Sequence, residues 1–477
     1  MVLLAGYFVY FNRGSLRVHF ALDDLGNIGH YYNYSPWQLV LSNFLPWRGD
    51  SRPLVGLFYI PIYHFAGLNP LPYQAVLLAL LLANVYWVYR FARALGAGVA
   101  AGALAALACA YHAGLQNLYY NAAFVFDVMC CFFYLASLVY YLGIRNRGRQ
   151  LGPGQTAVFL ALFLCALNSK EMAVSIPAML LVYELVYHPP QWNRASLAAG
   201  LRAFVRAWLR GPLRVVLLAG VLDLVDIYGK VSVPGAMIDA ETYHPVFTAD
   251  RILAFQRLSL QQMFFSWTWT PGWGQILALW AVLALLAHLG WNRADRPMLR
   301  FLFWYLVVVP LPIEFLVGKS QACLILLLVG GAVFVAVVFM DLVETSARRL
   351  WRLLRLPPAG RAVLVGILLA ATAFLWAREQ RHLQQNLVRD QMASLGFETW
   401  DLIQQLQATG FHPRHGTSVA FLDDPFHSLD MYFLAQLWVH DRSVKVHAWC
   451  QGPLTPTELA ATDYVFTFDD RRLRRLK

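Results

Sequence analysis

Long apolar runs broken by arginine-bearing stretches organise this chain. The first run ends at Phe11; the others cover residues 73–89, 97–112, 120–142, 156–167, 172–186, 215–228, 275–289, 299–317, 322–339 and 362–376. A helix that crosses about 30 Å of hydrocarbon needs about 20 mostly apolar residues, so the pattern predicts about eleven spans. The first run is short for a crossing, which leaves either a truncated start or an incomplete first helix. Residues 12–72 read as a large polar loop. Residues 251–270 mix Arg251, Gln256, Arg257, Gln261 and Gln262 with aromatics, which predicts an amphipathic helix on the external surface. Residues 195–209 read as its cytoplasmic counterpart.

Beyond the last run the periodicity changes. Residues 379–407 alternate charges at helical spacing, 418–422, 444–449 and 464–468 read as strands, and 431–438 as a helix between them. The predicted fold is an all-α polytopic membrane bundle with a large first external loop and a small C-terminal α/β domain. Residues 1–345 form the transmembrane core, 346–378 a basic cytoplasmic loop and the last span, and 379–477 the α/β domain. No repeat of solenoid period is visible.

Composition agrees with a membrane protein. Hydrophobic residues make up 59% and charged residues only 14%, against about 25% in soluble domains. The net charge of +11 fits basic cytoplasmic loops. Nucleic acid is not an expected partner, since no RNP, zinc-finger or helix-turn-helix pattern occurs. Arginines follow the runs at Arg90 and Arg93, at Arg145, Arg147 and Arg149, and at Arg293, Arg296 and Arg300. They also fill 194–214 and 348–361. These loops are then cytoplasmic, with the N-terminus, while the first loop and the C-terminal domain lie outside a plasma or inner membrane. The six cysteines include no CxxC and read as packing residues.

The lysines are informative because there are only five. Lys170, Lys230 and Lys319 all fall at predicted external helix ends. Positive charge there runs against the positive-inside bias, so it points to an anion such as a lipid phosphate, or to snorkelling at the interface. Asp23 and Asp24 stand side by side in the first loop. Such a pair suits a catalytic base, with Asp23 marginally ahead of Asp24, or else a helix cap in a solvated turn. Glu171 beside Lys170 either orients that lysine or serves as a helix-start acid. Asp223 and Asp226 stand opposite Lys230, and Glu314 stands opposite Lys319. His64, His112 and His244 read as lone hydrogen-bonded histidines, and Asp423–Asp424 as a turn. No HExxH, Walker or GxGxxG pattern occurs, so no cofactor or metal site is expected, although a divalent cation is left open.

Several motifs also recur in a fixed order: Asp23-Asp24-x-x-Asn27-Ile28, Arg52-Pro53-Leu54, Gly67-Leu68-Asn69-Pro70, His112, Asn121, Asp127, Asn168-Ser169-Lys170-Glu171-Met172-Ala173, and Pro310-Leu311-Pro312 before Lys319. In this the chain resembles the GT-C superfamily of membrane glycosyltransferases, and most closely its protein O-mannosyltransferase-like branch, over about residues 1–340. The resemblance implies transfer of a sugar from a polyprenyl-phosphate donor to a hydroxyl acceptor on protein, glycan or lipid. It gives Asp23 or Asp24 the role of base and places Ser169, Lys170 and Glu171 near the lipid phosphate. Arg52, Lys230 and Lys319 are further cations for that phosphate. The chain departs from the pattern at Tyr73-Gln74 and after Lys319, and a short α/β unit stands where tetratricopeptide repeats are found in some relatives. Two other readings remain open: a transporter using buried charge pairs, and a non-catalytic polyprenyl-lipid-binding protein.

Overall fold

The computed structural model describes residues 1–21, 23–189, 211–232, 243–289, 295–317, 319–354, 358–388, 396–423 and 430–477. The expected helix at 195–209, and Asp424 of the second acidic pair, lie outside the described residues.

The apolar runs form helices whose ends are set by local chemistry. The first elements are α1 (Val2–Asn12), α2 (Asp24–Tyr32), α3 (Pro36–Ser42), α4 (Pro53–Ala66), α5 (Pro70–Ala94) and α6 (Val99–Ala110). They are followed by α7 (Val125–Arg145), α8 (Pro153–Leu167), α9 (Ile176–Tyr187), α10 (Pro212–Ser232), α11 (Ala249–Met263) and α12 (Trp273–Leu289). Last in the membrane-type region are α13 (Arg296–Val308), α14 (Ile325–Leu354) and α15 (Pro358–Leu383). Helix α5 starts where Asn69 accepts a hydrogen bond from the Leu71 amide at 3.1 Å and Pro70 takes the first position. Among the described residues, 5 helices are long and apolar enough to cross a membrane, and the shorter apolar helices include α4, α6, α8 and α12.

The first loop differs from its polar reading. It contains three helices, and α4 is apolar. At 14 residues it reaches only about 21 Å, so a search for spanning runs passes over it. Helix α11 stands where the amphipathic surface helix was expected. Helix α15 continues past the expected end of the last run to Leu383.

Helices α5, α6, α7, α13 and α14 pack together around the fully buried Phe91, Tyr134 and Tyr305. Gly330 is required there, because a Cβ would collide with the Tyr305 ring. Helix α7 carries Asp127 near its start and Arg145 at its end, about 27 Å apart along the axis. The far end is closed by Arg145, which meets Glu184 through two 2.7 Å hydrogen bonds, with Tyr141 donating to the same carboxylate at 2.8 Å. The two side chains are 9% and 1% exposed. Removing one partner strands the other charge, so Glu184→Gln should lower unfolding stability by about 3–5 kcal/mol. Thermal unfolding of the purified variant in detergent checks this.

The C-terminal unit contains α16 (Phe397–Ala408), β1 (Ser418–Phe421), α17 (Asp430–Val439), β2 (Lys445–Ala448), α18 (Pro456–Ala461), β3 (Tyr464–Asp469) and β4 (Arg472–Arg475). The sheet order is β2-β1-β3-β4, with β1 parallel to β2 and β3, and β4 antiparallel to β3. The three expected strands are present. Strand β4 (RLRR) escapes a hydrophobicity reading because it is a charged edge strand. Its hairpin turns through Asp470 and Arg471, both at positive φ. The apolar face of this unit, including Phe421, Leu434 and Phe466, joins the same continuous core as the helices.

Candidate functional site

The corner between α8 and α9 is where the charges collect. Helix α8 ends at Leu167, and Asn168 donates to the Asn43 carbonyl at 2.9 Å, tying the corner to the first loop. Lys170 then reaches Asp127 on α7 at 2.6 Å. Glu171 accepts two hydrogen bonds from Arg52, at 3.0 and 2.8 Å. Lys230, near the end of α10, lies 2.9 Å from Asp226 and 3.8 Å from Glu171. Gly229 beside it is needed because a Cβ would strike the backbone at Pro46 and Trp47.

Arg52 holds this group to α2 and α4. Its φ of 50° is left-handed, a conformation disfavoured for a residue with a Cβ and retained where the surroundings fix it. The fixing groups are visible: the Tyr31 hydroxyl donates to the Arg52 carbonyl at 2.9 Å, and the guanidinium donates to the Tyr243 hydroxyl at 2.9 Å. The Arg52 guanidinium also lies 5.2 Å from the Phe126 ring centre. Tyr243 is brought in by the Val246 amide, which donates to the Phe315 carbonyl at 2.8 Å. Its ring faces Lys319, whose Nζ is 3.5 Å from the centroid.

Arg52, Lys170, Glu171, Lys230 and Lys319 therefore share one cluster. Three of the four cations are matched: Arg52 by Glu171, Lys170 by Asp127, and Lys230 by Asp226. Lys319 has no carboxylate within ion-pair distance among the described residues. Glu314 turns instead to Gln256, which donates to it at 2.9 Å. Burial would raise Glu171, but the Arg52 guanidinium and then Lys230 outweigh it and hold the carboxyl well below the usual carboxylate range. Burial likewise opposes the charge of Lys170, and Asp127 outweighs it, keeping that ammonium above the usual lysine range. At Lys319, burial and then repulsion from Arg52 act in the same direction and lower its value. An anion entering beside Lys319 would offset that penalty, because an opposite charge favours the charged ammonium.

The two aspartates have different surroundings. Asp23 precedes α2, is exposed, and makes no side-chain capping bond. Asp24 is 1% exposed, and its Oδ2 accepts from the Ala21 amide at 2.9 Å. Beside α2 lies Tyr59, whose hydroxyl donates to the Ala122 carbonyl at 3.0 Å and meets Asn27 at 3.4 Å. The Tyr59 ring stacks on Tyr31 at 5.9 Å and lies 6.3 Å from Phe126, the ring under Arg52. A short aromatic path thus joins the Asp24 helix to the cation cluster.

Two further members of the cluster differ in their sequence signal. Asp127 is an acid inside an apolar run, which is by itself a functional cue. Tyr243 is one tyrosine in a loop and carries none.

An apolar cavity of about 480 Å³ opens among α6, α11, α12, α14 and α15, lined by His112, Phe255, Leu283, Phe334 and Trp376, with Pro310 and Gln256 toward Glu314. His112 is buried against Phe265, with ring centres 4.6 Å apart. Burial pushes its value down to about 4, so it is neutral at pH 7. Among the described residues, no group of three or more His, Cys, Asp or Glu is placed to hold a metal ion.

No protein-family model matches the chain, and no curated protein sequence matches it. Solved structures do. The Archaeoglobus fulgidus oligosaccharyltransferase tethered to an acceptor peptide containing the NVT sequon superposes with a TM-score of 0.50 at 13% identity. It covers 93% of this chain and 63% of its own. The apo form of the same enzyme gives 0.48 at 14% identity, over 93% and 64%. This chain spans less than two thirds of those proteins, and what it shares with the peptide-tethered form is the fold alone.

Proposed function

We propose that the chain is a GT-C-type membrane glycosyltransferase that moves a sugar from a polyprenyl-phosphate-linked donor to a hydroxyl acceptor on the extracytoplasmic face. The observation that carries this reading is the cation cluster in which Lys319 has no carboxylate partner among the described residues, beside the helix that bears Asp24. A lipid phosphodiester carries one negative charge, and Lys319 is one positive charge that meets no carboxylate at ion-pair distance among the described residues. The fold shared with an oligosaccharyltransferase supports the class, and that neighbour's tethered peptide makes a peptide the first acceptor to test.

In this reading Asp24 is the base rather than Asp23, because a buried carboxylate suits proton abstraction better than an exposed one. The acceptor oxygen attacks the anomeric carbon and its proton passes to Asp24. The bond from that carbon to the phosphate oxygen breaks, and the polyprenyl phosphate leaves with the electron pair. Lys319, with Arg52 and Lys170 behind it, stabilises the leaving phosphate. The apolar cavity takes the start of the prenyl chain.

Turnover of C55-polyprenyl-phosphate-linked mannose, glucose and galactose by the purified protein tests the reading, with serine- and threonine-bearing peptides as acceptors. Consumption of one donor is expected, whereas binding without consumption would mark a lipid-binding protein. Lys319→Ala should raise the donor KM by about 10–150-fold, the loss of a charge-assisted contact of about 1.5–3 kcal/mol. The pH dependence has a definite sign. Protonated Lys319 binds phosphate, and its value lies below the ordinary 10.5, so donor affinity should fall with rising pH before 10.5 is reached. Lys319→Arg should lack that inflection.

Sidedness belongs to the same proposal. The lysine cluster and the Arg145 end lie at opposite ends of α7, about a bilayer thickness apart, and the arginine end is the cytoplasmic one. An impermeant maleimide on intact cells should label Asn33→Cys and not Ser346→Cys. Labelling of Ser346→Cys from outside would reverse the orientation.

A further inference from the structure

We infer that the C-terminal α/β unit is a positioning clamp for the Asp24 helix, with Phe433 as its central wedge; this rests on the reading of Asp24 as the base. Helix α2 has only nine residues and carries two glycines one turn apart, Gly26 and Gly29. Glycines weaken a helix, so their presence calls for a cause. Both face the Phe433 ring of α17. A Cβ at Gly29 would come within 2.6 Å of that ring, and one at Gly26 within 3.4 Å. The ring thus sits in a notch that a side chain at Gly29 would close, while one at Gly26 would only touch it.

The other contacts of the unit fall on the elements that border Asp24. Trp400 of α16 stacks on His19, ring centres 4.7 Å apart at 15°, just before the Ala21 amide that Asp24 accepts from. The Tyr63 hydroxyl of α4 donates to the Leu437 carbonyl at 2.6 Å and meets His440 Nδ1 at 2.7 Å. A hydroxyl has one proton, so His440 Nδ1 is the donor in the second bond. Arg442 donates to the Tyr34 carbonyl at 3.2 Å and lies over the Tyr32 ring at 4.7 Å, closing the far end of α2. The segment before Asp24, its own helix and the neighbouring α4 are each held by the C-terminal unit. A base misplaced by about 1 Å loses up to about 10²-fold in rate, so Phe433 acts on chemistry without touching substrate.

The test uses the full-length protein in nanodiscs with the polyprenyl-phosphate hexose that it consumes. Phe433→Ala should lower kcat by about 10–100-fold with donor KM unchanged, and should speed amide hydrogen exchange across residues 20–32. Gly29→Ala should also lower kcat by displacing the ring. The double variant Gly29→Ala/Phe433→Ala, in which the new methyl enters the vacated space, should exceed both singles, a non-additivity that independent losses of packing do not give. Wild-type kcat in Phe433→Ala, or purely additive losses, would overturn the clamp, provided that Asp24→Asn is inactive. Wild-type kcat in Asp24→Asn would remove the functional reading itself, and the clamp with it. Should Phe433→Ala not accumulate, Phe433→Leu gives the same readouts with a smaller shift.

Discussion

Asp24→Asn should lower sugar transfer by about 10²–10⁴-fold, the usual loss when a general base is removed, while Asp23→Asn should stay near the wild-type rate. The contrast follows from burial. Asp24 is 1% exposed and Asp23 is exposed without a capping bond. The amide keeps the size of the carboxylate, so α2 stays packed between Tyr59 and the C-terminal unit. Donor KM should hardly change, because the proposed phosphate contacts are Arg52, Lys170 and Lys319. Steady-state kinetics of the two variants, with hydrogen exchange over residues 20–32 as a fold control, make the comparison. A larger loss in Asp23→Asn than in Asp24→Asn would exchange their roles.

The second large effect is expected at Arg52. Its guanidinium is bonded twice to Glu171 and once to Tyr243, and the ion pair is mostly buried at 13% and 23% side-chain exposure. Among the described residues, Arg52→Met leaves Glu171 with Lys230, 3.8 Å away, as its ion-pair partner, and should cost about 3–5 kcal/mol of stability. The double variant Arg52→Met/Glu171→Met removes both charges and should recover most of that stability, since a well-packed apolar pair can replace a buried ion pair. Transfer should stay low in the double variant, because Arg52, one of the three cations proposed to face the phosphate, is still missing. A double variant that recovers activity together with stability would show the pair to be scaffolding only. Thermal unfolding and donor turnover on the same three preparations separate these outcomes.

How much of this was legible in the sequence differs from residue to residue. Lys170, Lys230 and Lys319 stood out because lysine is scarce and lies at helix ends where arginine does not. Arg52 was readable as a candidate cation, but its left-handed backbone and its reach to Glu171 were not, since they depend on a contact across 119 residues. The acidic pair was visible, but its members were not separable. Which of two adjacent carboxylates is buried depends on where α2 begins, and that is fixed by Ala21, Tyr59 and Phe433, the last more than 400 positions away. Glu314 looked like a partner for Lys319 by proximity in sequence, but the turn after Pro310 sends it to Gln256. Helix α4 was hidden for a different reason: a search tuned to membrane thickness ignores an apolar helix of 14 residues. The docking of the C-terminal unit on α2 had no local signature beyond two glycines in a short helix.

The most direct measurement is a structure of the protein in nanodiscs with C55-polyprenyl phosphate bound. The expected result places the lipid phosphate within hydrogen-bonding distance of Lys319 Nζ, its chain entering the cavity beside Phe255 and Trp376, and its free oxygens on the side of Asp24. A phosphate bound away from Lys319, Arg52 and Lys170, or on the Arg145 side of the bundle, would contradict the donor site and the transfer reaction built on it.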